Sequence, residues 1–148
     1  LNTVLRIGQS LGYSFDKTMA IIARSWMVSA DNAHAVHPNH PEYADFNNRP
    51  TLNKGIVIKH NASRHYATDG YSAARFRALC DNHNIPTQTF TNRSDISGGS
   101  TLGHISNTKL SIPTVDIGLP QLSMHSSYET AGIKDTSYLI DSMIAFFE

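Results

Sequence analysis

A carboxylate and two imidazoles recur at three-residue intervals in the segment Ser29–Pro38, at Asp31, His34 and His37. They follow a short apolar run that we predict to be a buried strand, and open α/β sheets bind ligands beyond the carboxyl ends of their strands. Zinc accepts both oxygen and nitrogen donors, so this segment could bind a metal ion. A helical His-Glu-x-x-His zinc motif is excluded because the spacing is three and no Glu intervenes. The alternative stays open that Asp31 caps a turn and both imidazoles bond to backbone.

Two other segments carry candidate groups. His125 lies in Leu119–Ser126, after an apolar strand and among small hydroxyl side chains. Lys59 ends the most β-branched segment of the chain, and Tyr66 follows it, so the two could offer a cation and a phenol to a polar ligand. The simpler interpretations are a hydrogen-bonded core histidine and solvated residues at a sheet edge.

The glycine-rich segment Ser97–Thr101 could present backbone N–H groups to an anion at the start of a helix. It lacks the spacing of the Gly-x-Ser-x-Gly nucleophile elbow and the lysine of the phosphate-binding loop. The sequence therefore disfavours a serine hydrolase and a P-loop nucleotide enzyme. A plain strand-to-helix turn explains the segment equally well.

The elements that would position these residues alternate between helix and strand. Apolar spacing predicts a helical segment over 1–24, divided near Gly8 and Gly12, and a terminal helix around Tyr138–Phe147. Asp69 or Ser72 can cap a helix between them, and another short helix follows Thr101. Strands are predicted at 26–28, 55–60, 85–90 and 112–117, a long ordered loop over His34–Lys54, and a turn from Leu119. This alternation favours an α/β fold in which a sheet is covered by helices on both faces.

Composition narrows the class of protein further. The 148 residues fit one domain, and 12 basic residues balance 12 acidic ones, so the broad positive charge of a nucleic-acid-binding protein is absent. The single cysteine and the lack of a long apolar run predict a cytoplasmic protein without disulfides or a membrane span. Charged residues are only 16%, against about 25% in average domains, which suggests a surface covered by other protein. Eight histidines favour metal or proton chemistry.

Several motifs in order resemble the aspartyl aminopeptidases, the M18 family of zinc metallopeptidases. They comprise Ser29–Asn39, Arg49–Gly55, Val57–Lys59, Arg93–Asp95, Gly99–Thr101, Pro120–Ser126 and Ala145–Glu148. The resemblance implies a three-layer α/β fold, a sheet flanked by helices, within a di-zinc aminopeptidase catalytic domain. Residues 1–148 would form its C-terminal part, with the upstream part outside this sequence.

The resemblance also implies roles for individual residues. Asp31 would bind one zinc ion and His125 the other, while His34, Lys59 and Tyr66 would contact the peptide substrate. The reaction implied is removal of an N-terminal residue, often Asp or Glu, by metal-activated water. No catalytic residue is assigned in this chain, because the family's general-base Glu belongs to an adjacent Glu pair upstream. The three glutamates here, Glu42, Glu129 and Glu148, are not adjacent.

The family assembles into large homo-oligomers, so we expect the partners to be the upstream part of the protein, further copies and peptide substrates. We expect neither nucleic acid nor membrane, and we expect this polypeptide alone to be inactive. Two other hypotheses remain: a non-catalytic interaction module that keeps the peptidase fold, and an anion-binding domain that uses Gly98, Gly99 and Lys59.

Overall fold

The computed structural model describes residues 1–148. It contains five α-helices, α1 (Asn2–Ser10), α2 (Phe15–Arg24), α3 (Gly70–Asn82), α4 (Leu102–Leu110) and α5 (Ile133–Phe147). The seven strands are β1 (Met27–Ala30), β2 (Ala33–His34), β3 (Ile56–His60), β4 (Thr87–Thr91), β5 (Thr114–Gly118), β6 (Pro120–Leu122) and β7 (Thr130–Ala131). The longest helix, α5, has 15 residues, and no helix has the length and apolar character needed to cross a bilayer.

The first helical segment is divided near Gly12 as predicted, whereas Gly8 does not interrupt it and lies within α1. Gly12 adopts a positive φ of 73° just after α1, a conformation that costs glycine little. Ser14 then caps α2 by accepting a hydrogen bond from the backbone N–H of Lys17 at 3.2 Å. Gly8 lies directly against Thr18, where a Cβ would overlap the Thr18 side chain. The two helices therefore pack closely at their junction.

The main sheet has the strand order β1-β5-β3-β4. β1 runs parallel to β5, β5 runs antiparallel to β3, and β3 runs parallel to β4. β1 and β3 are therefore not neighbours, because β5 lies between them, and β3 runs in the direction opposite to β1. The physical reason is burial: all five residues of β5 are buried, so it requires a neighbour on each side, whereas β1 is only partly buried and forms an edge.

Helices cover both faces of this sheet, which confirms the three-layer α/β fold. On one face, a core of eight buried residues contacts apolar side chains of α3 and α5; it comprises Ile56, Ile58, Ala73, Phe76, Cys80, Ile85, Val115 and Ile117. On the other face α4 approaches so closely that a Cβ on Gly103 would lie 2.5 Å from Asp116 and 2.7 Å from Ser29. Gly103 thus allows the third layer to pack.

Local signals place the remaining elements of the main layer. Asp69 and Ser72 form a reciprocal capping box at the start of α3, with hydrogen bonds of 2.7 and 3.0 Å. β4 begins at Thr87 rather than Ile85, because Pro86 has no N–H to donate to a neighbouring strand. The Pro86 carbonyl still accepts a hydrogen bond from the Ile56 N–H at 3.0 Å. β5 likewise begins two residues later than predicted, after Pro113.

A second, smaller sheet with the order β2-β6-β7 was not predicted. β2 runs parallel to β6, which pairs Ala33 with Pro120 and His34 with Gln121. The segment predicted as a turn from Leu119 therefore begins with a strand, and the turn follows at Ser123. After β2 the predicted long loop is irregular apart from a single 3₁₀ turn, Pro41–Tyr43. This small sheet joins the segment after β1 to the segment before His125.

Candidate functional site

Asp31 lies immediately beyond β1, and its main chain is fixed while its carboxylate is largely exposed. Its backbone N–H donates to the carbonyl of Ile117 at 2.9 Å, which continues the β1–β5 pairing. Its carbonyl passes directly over Gly118, where any Cβ would overlap it. The side chain is 59% exposed and accepts no hydrogen bond from the turn that follows. This geometry suits a ligand-binding carboxylate better than a turn cap.

Lys59, near the end of β3, lies beneath Asp31. Its side chain is only 2% exposed, and Nζ donates to the carbonyl oxygens of Asp31 at 3.0 Å and Asn32 at 3.2 Å. The Asp31 carboxylate oxygen Oδ2 lies 3.6 Å from the same ammonium. Burial lowers the pKa of Lys59, and the negative charges of Asp31 and Asp116 oppose that effect. Lys59 therefore supports the main chain that carries Asp31.

His34 and Tyr66 line one cavity of about 580 Å³, together with Phe90, Gly98, Gly99 and Met124. The Phe90 ring lies near both, with centroid distances of 6.4 Å to His34 and 6.5 Å to Tyr66. Tyr66 is 9% exposed, and its ring centroid lies 5.1 Å from the Lys59 ammonium. The cavity thus joins polar groups to an aromatic wall, as binding sites for small ligands commonly do.

The charges around the cavity alter the protonation of both residues. Burial lowers the pKa of His34 below its usual 6.5, and the nearby His125 and Lys59 lower it further. At neutral pH the imidazole is therefore largely uncharged, so one ring nitrogen can donate and the other can accept. Burial raises the pKa of the Tyr66 phenol, as do Asp116 and Asp31. The phenol consequently remains a hydrogen-bond donor at neutral pH.

His125 is presented by a tight turn after β6. Ser123 and His125 both have positive φ, at 53° and 67°, and the N–H of Ser126 donates to the Ser123 carbonyl at 3.0 Å. The carboxylate of Glu129 accepts the backbone N–H of His125 at 2.6 Å. The imidazole belongs to an exposed residue. Positive φ at two non-glycine residues is uncommon, and such strain is concentrated at functional sites.

These side chains come from distant parts of the sequence to one end of the sheets. Lys59 contacts Asp31, and the charges of Lys59 and His125 both act on His34. However, no three His, Cys, Asp or Glu side chains of the chain converge closely enough to hold a metal ion. Catalytic zinc generally has three protein ligands. These residues thus supply donors of the right chemistry but not a complete zinc site.

The other sequence candidates have simpler surroundings. His37 also lines the cavity, but its Nδ1 accepts the backbone N–H of Asn39 at 3.2 Å, as expected for a loop histidine bonded to backbone. Lys59 does not line the cavity with Gly98 and Gly99, and the N–H of Thr101 donates to the carbonyl of His65 at 3.4 Å. The structure therefore does not bring Gly98, Gly99 and Lys59 together as an anion-binding site.

Sequence reasoning missed two acidic residues that support the site. Glu129 fixes the turn of His125, as described above, and nothing in its sequence context indicates this. Asp116 is completely buried in the middle of β5. The sequence does contain an indication for Asp116, because it is the only charged residue in the strand Thr114–Gly118. Carboxylates are rarely fully buried without partners, so a carboxylate in a buried strand indicates a bonded group.

Comparison with known proteins places this chain in a family. Residues 1–147 match the family described as Aminopeptidase I zinc metalloprotease (M18). A probable M18 family aminopeptidase 2 from Clostridium novyi is 47% identical over 137 residues, covering 93% of this chain and 32% of the relative. The chain therefore belongs to the M18 aminopeptidase family, and it spans about a third of the length of the curated relatives it matches.

Solved structures have the same fold. A chain in the cryo-EM structure of the Ape4 and Nbr1 complex matches with a TM-score of 0.94 and 36% identity, covering 99% of this chain and 28% of that one. The mApe1 dodecamer of S. cerevisiae matches with a TM-score of 0.83 and 28% identity, covering 99% of this chain and 32% of that one. These likenesses agree with the three-layer architecture described above.

Proposed function

We propose that the protein containing this sequence is a zinc-dependent aminopeptidase that removes N-terminal residues from peptides, with Asp or Glu preferred. In this proposal Asp31 and His125 are ligands of two different zinc ions, and residues outside this sequence supply the other ligands and the general base. The observation that carries the proposal is the position of Asp31: its main chain is held by β5 and Lys59, while its carboxylate is exposed. Membership of the M18 family supports it.

The donor set of this chain suits zinc in part. A carboxylate oxygen and an imidazole nitrogen are both common zinc ligands, although two donors do not complete a site. Bound zinc would polarise the peptide carbonyl and lower the pKa of a water molecule. The contribution of this chain is to fix the two donors, through Lys59 beneath Asp31 and Glu129 behind His125.

The cavity would hold the peptide beside those donors. His34 and Tyr66 can donate hydrogen bonds to the scissile carbonyl oxygen, and such donors stabilise the negative charge that develops there during the reaction. The Phe90 ring, which lies near both, would provide an apolar wall of the cavity. We assign Lys59 to the support of Asp31 rather than to direct substrate contact, because its side chain is 2% exposed and both carbonyl partners lie on the protein.

The test is hydrolysis of aspartyl- and glutamyl-anilides, compared with a leucyl-anilide, by the full-length protein. Asp31→Ala and His125→Ala should each lower kcat/KM by at least about 100-fold, as loss of a group essential to the reaction does. Asp141→Ala and His104→Ala, which remove an exposed carboxylate and an exposed imidazole elsewhere, serve as matched controls. Near wild-type turnover of both test variants would refute the proposal. Equal turnover of all three substrates would refute only the acidic preference.

A non-catalytic module is the second candidate, and the observation that favours it is that no three metal-binding side chains converge within this chain. The two functions differ in metal content. An aminopeptidase should retain zinc after dialysis of the full-length protein and lose it in the Asp31→Ala variant, whereas a module without a metal site should retain none in either. Elemental analysis by mass spectrometry decides between them.

We also propose that the full-length protein is a cytoplasmic homo-oligomer. Large apolar side chains remain exposed on α2 and α5, including Phe15 at 65% and Phe147 at 81%, and exposed apolar patches commonly mark protein interfaces. The mApe1 structure described above is a dodecamer. Sedimentation velocity of the full-length protein should give a species of several subunits, and a monomer at micromolar concentration would contradict this.

A further inference from the structure

The fully buried carboxylate of Asp116 binds the segment that follows Tyr66. Asp116 is 0% exposed, and its Oδ2 accepts the backbone N–H of Ala67 at 2.6 Å. In the opposite direction, the backbone N–H of Asp116 donates to the Thr68 hydroxyl at 2.8 Å. Two hydrogen bonds, one accepted and one donated by Asp116, therefore attach residues 67 and 68 to the centre of β5. Charge-assisted bonds of this length are among the stronger ones in proteins.

The second carboxylate oxygen of Asp116 binds Thr101, the residue before α4. The Thr101 hydroxyl donates to Oδ1 at 2.6 Å, and the Thr101 backbone N–H donates to the His65 carbonyl at 3.4 Å. A threonine at this position normally caps its helix by accepting a backbone N–H. Thr101 makes no such bond with its side chain, because its hydroxyl is directed to Asp116.

Tyr66 lies in the middle of this arrangement. Its preceding residue is attached to Thr101, its two following residues are attached to Asp116, and Thr101 is bonded to Asp116 in turn. The backbone of Tyr66 is consequently held from both sides, while its side chain lines the cavity. Since both carboxylate oxygens are occupied and the group is buried, this arrangement fixes the position from which the Tyr66 side chain enters the cavity.

We propose that Asp116 is a positioning residue that, together with Thr101, fixes Tyr66 in the orientation required for turnover. The inference rests on the proposed function, in which Tyr66 contacts the substrate, and it assigns to Asp116 no contact with substrate or metal. Displacement of a substrate-contacting group by about 1 Å can cost about 100-fold in rate. Loss of this support should therefore affect catalysis as well as folding.

The experiment is a double-mutant cycle in the full-length enzyme, assayed with an aspartyl-anilide well below the thermal midpoint of every variant. Thr101→Val removes one donor to Asp116, Asp116→Ala removes both contacts, and Tyr66→Phe removes the phenol. Asp116→Ala should lower kcat by about 10- to 100-fold with little change in KM, and Thr101→Val should act in the same direction. Thr101→Ser, which keeps the hydroxyl, should restore wild-type kcat. In the Tyr66→Phe background, neither substitution should lower kcat further.

Other outcomes overturn the proposal in distinguishable ways. Additive effects of Asp116→Ala and Tyr66→Phe on kcat would show that Asp116 does not act through Tyr66. A Thr101→Val enzyme that is less stable but has wild-type kcat would show that the contact between Thr101 and Asp116 serves folding alone. Wild-type kcat in Tyr66→Phe would refute the role of Tyr66 in the proposed function and, with it, any catalytic effect of its support. If Asp116→Ala does not fold, the Thr101→Val and Thr101→Ser pair decides. Hydrogen exchange provides a second readout, because the Ala67 amide should lose protection in Thr101→Val but not in Thr101→Ser.

Discussion

Replacement of the buried lysine beneath Asp31 should weaken metal binding without unfolding the protein. Lys59→Met keeps the length and apolar stem of the side chain but removes the two hydrogen bonds to the carbonyls of Asp31 and Asn32. Hydrogen bonds to charged groups contribute about 1.5–3 kcal/mol each. The substitution also removes the cost of keeping an ammonium buried, which offsets part of that loss.

The size of the expected effect follows from the position of the lysine. Lys59 supports the main chain of a proposed ligand, and loss of such outer-shell support generally lowers metal affinity by about 10- to 100-fold. That range corresponds to about 1.4–2.8 kcal/mol, which the loss of two charge-assisted hydrogen bonds can supply. We therefore expect Lys59→Met to weaken zinc binding by 10- to 100-fold and to lower kcat/KM when zinc is limiting.

The assay is competition for zinc between the full-length protein and a chelator of known affinity, with circular dichroism to establish that each variant is folded. Lys54→Met, which alters an exposed lysine five residues earlier, is the matched control and should leave zinc affinity unchanged. A folded Lys59→Met protein with the zinc affinity of the control would refute the argument. If zinc affinity were unchanged but KM for acidic substrates rose, Lys59 would instead bind substrate.

Three further predictions use other parts of the structure. Gly103→Ala should destabilise the protein by about 1–3 kcal/mol or more in denaturant unfolding, because its Cβ would lie 2.5 Å from Asp116; Gly99→Ala, with open space around the Cβ, should change little. The folded-state pKa of His34 lies below 6.5. As the pH falls below 6.5 the unfolded chain therefore binds more protons at His34 than the folded chain does, so His34 should lower the free energy of unfolding there and have no such effect at higher pH. A His34→Gln variant whose free energy of unfolding depends on pH as the wild type's does between pH 7 and 5 would contradict this. Burial raises the pKa of Cys80 to about 12, so mass spectrometry should find this thiol unlabelled by alkylating reagents at pH 8 until the protein is unfolded; rapid native labelling would contradict its burial.

Much of the fold could be predicted because its elements carry strong local signals. The capping pair Asp69 and Ser72 marks the start of α3, and Gly12 marks the break between the first two helices. The order of the strands could not be predicted in the same way, since β3 and β5 are both fully or almost fully buried. Which buried strand takes the centre depends on long-range packing. The small sheet escaped prediction because strands of two or three residues have no measurable periodicity.

The sequence could propose residues for the candidate site, but it could not predict their contacts. Family motifs singled out Asp31 and His125. The structure places Asp31 against Lys59, and His125 near enough to His34 to lower its pKa. The sequence could not predict that Lys59 is buried and supports the main chain of Asp31. Burial of a lysine depends on which carbonyl oxygens the fold places within reach of its ammonium. The same holds for Asp116, whose partners Ala67 and Thr101 lie 49 and 15 residues away in the sequence.

The most direct measurement of the central claim is a crystal structure of the full-length protein with anomalous diffraction data collected at the zinc absorption edge. We expect two peaks, one with an Asp31 carboxylate oxygen and the other with a His125 ring nitrogen at about 2.0–2.2 Å. Anomalous peaks that lie away from both side chains, or no peak in crystals grown with zinc, would contradict the account.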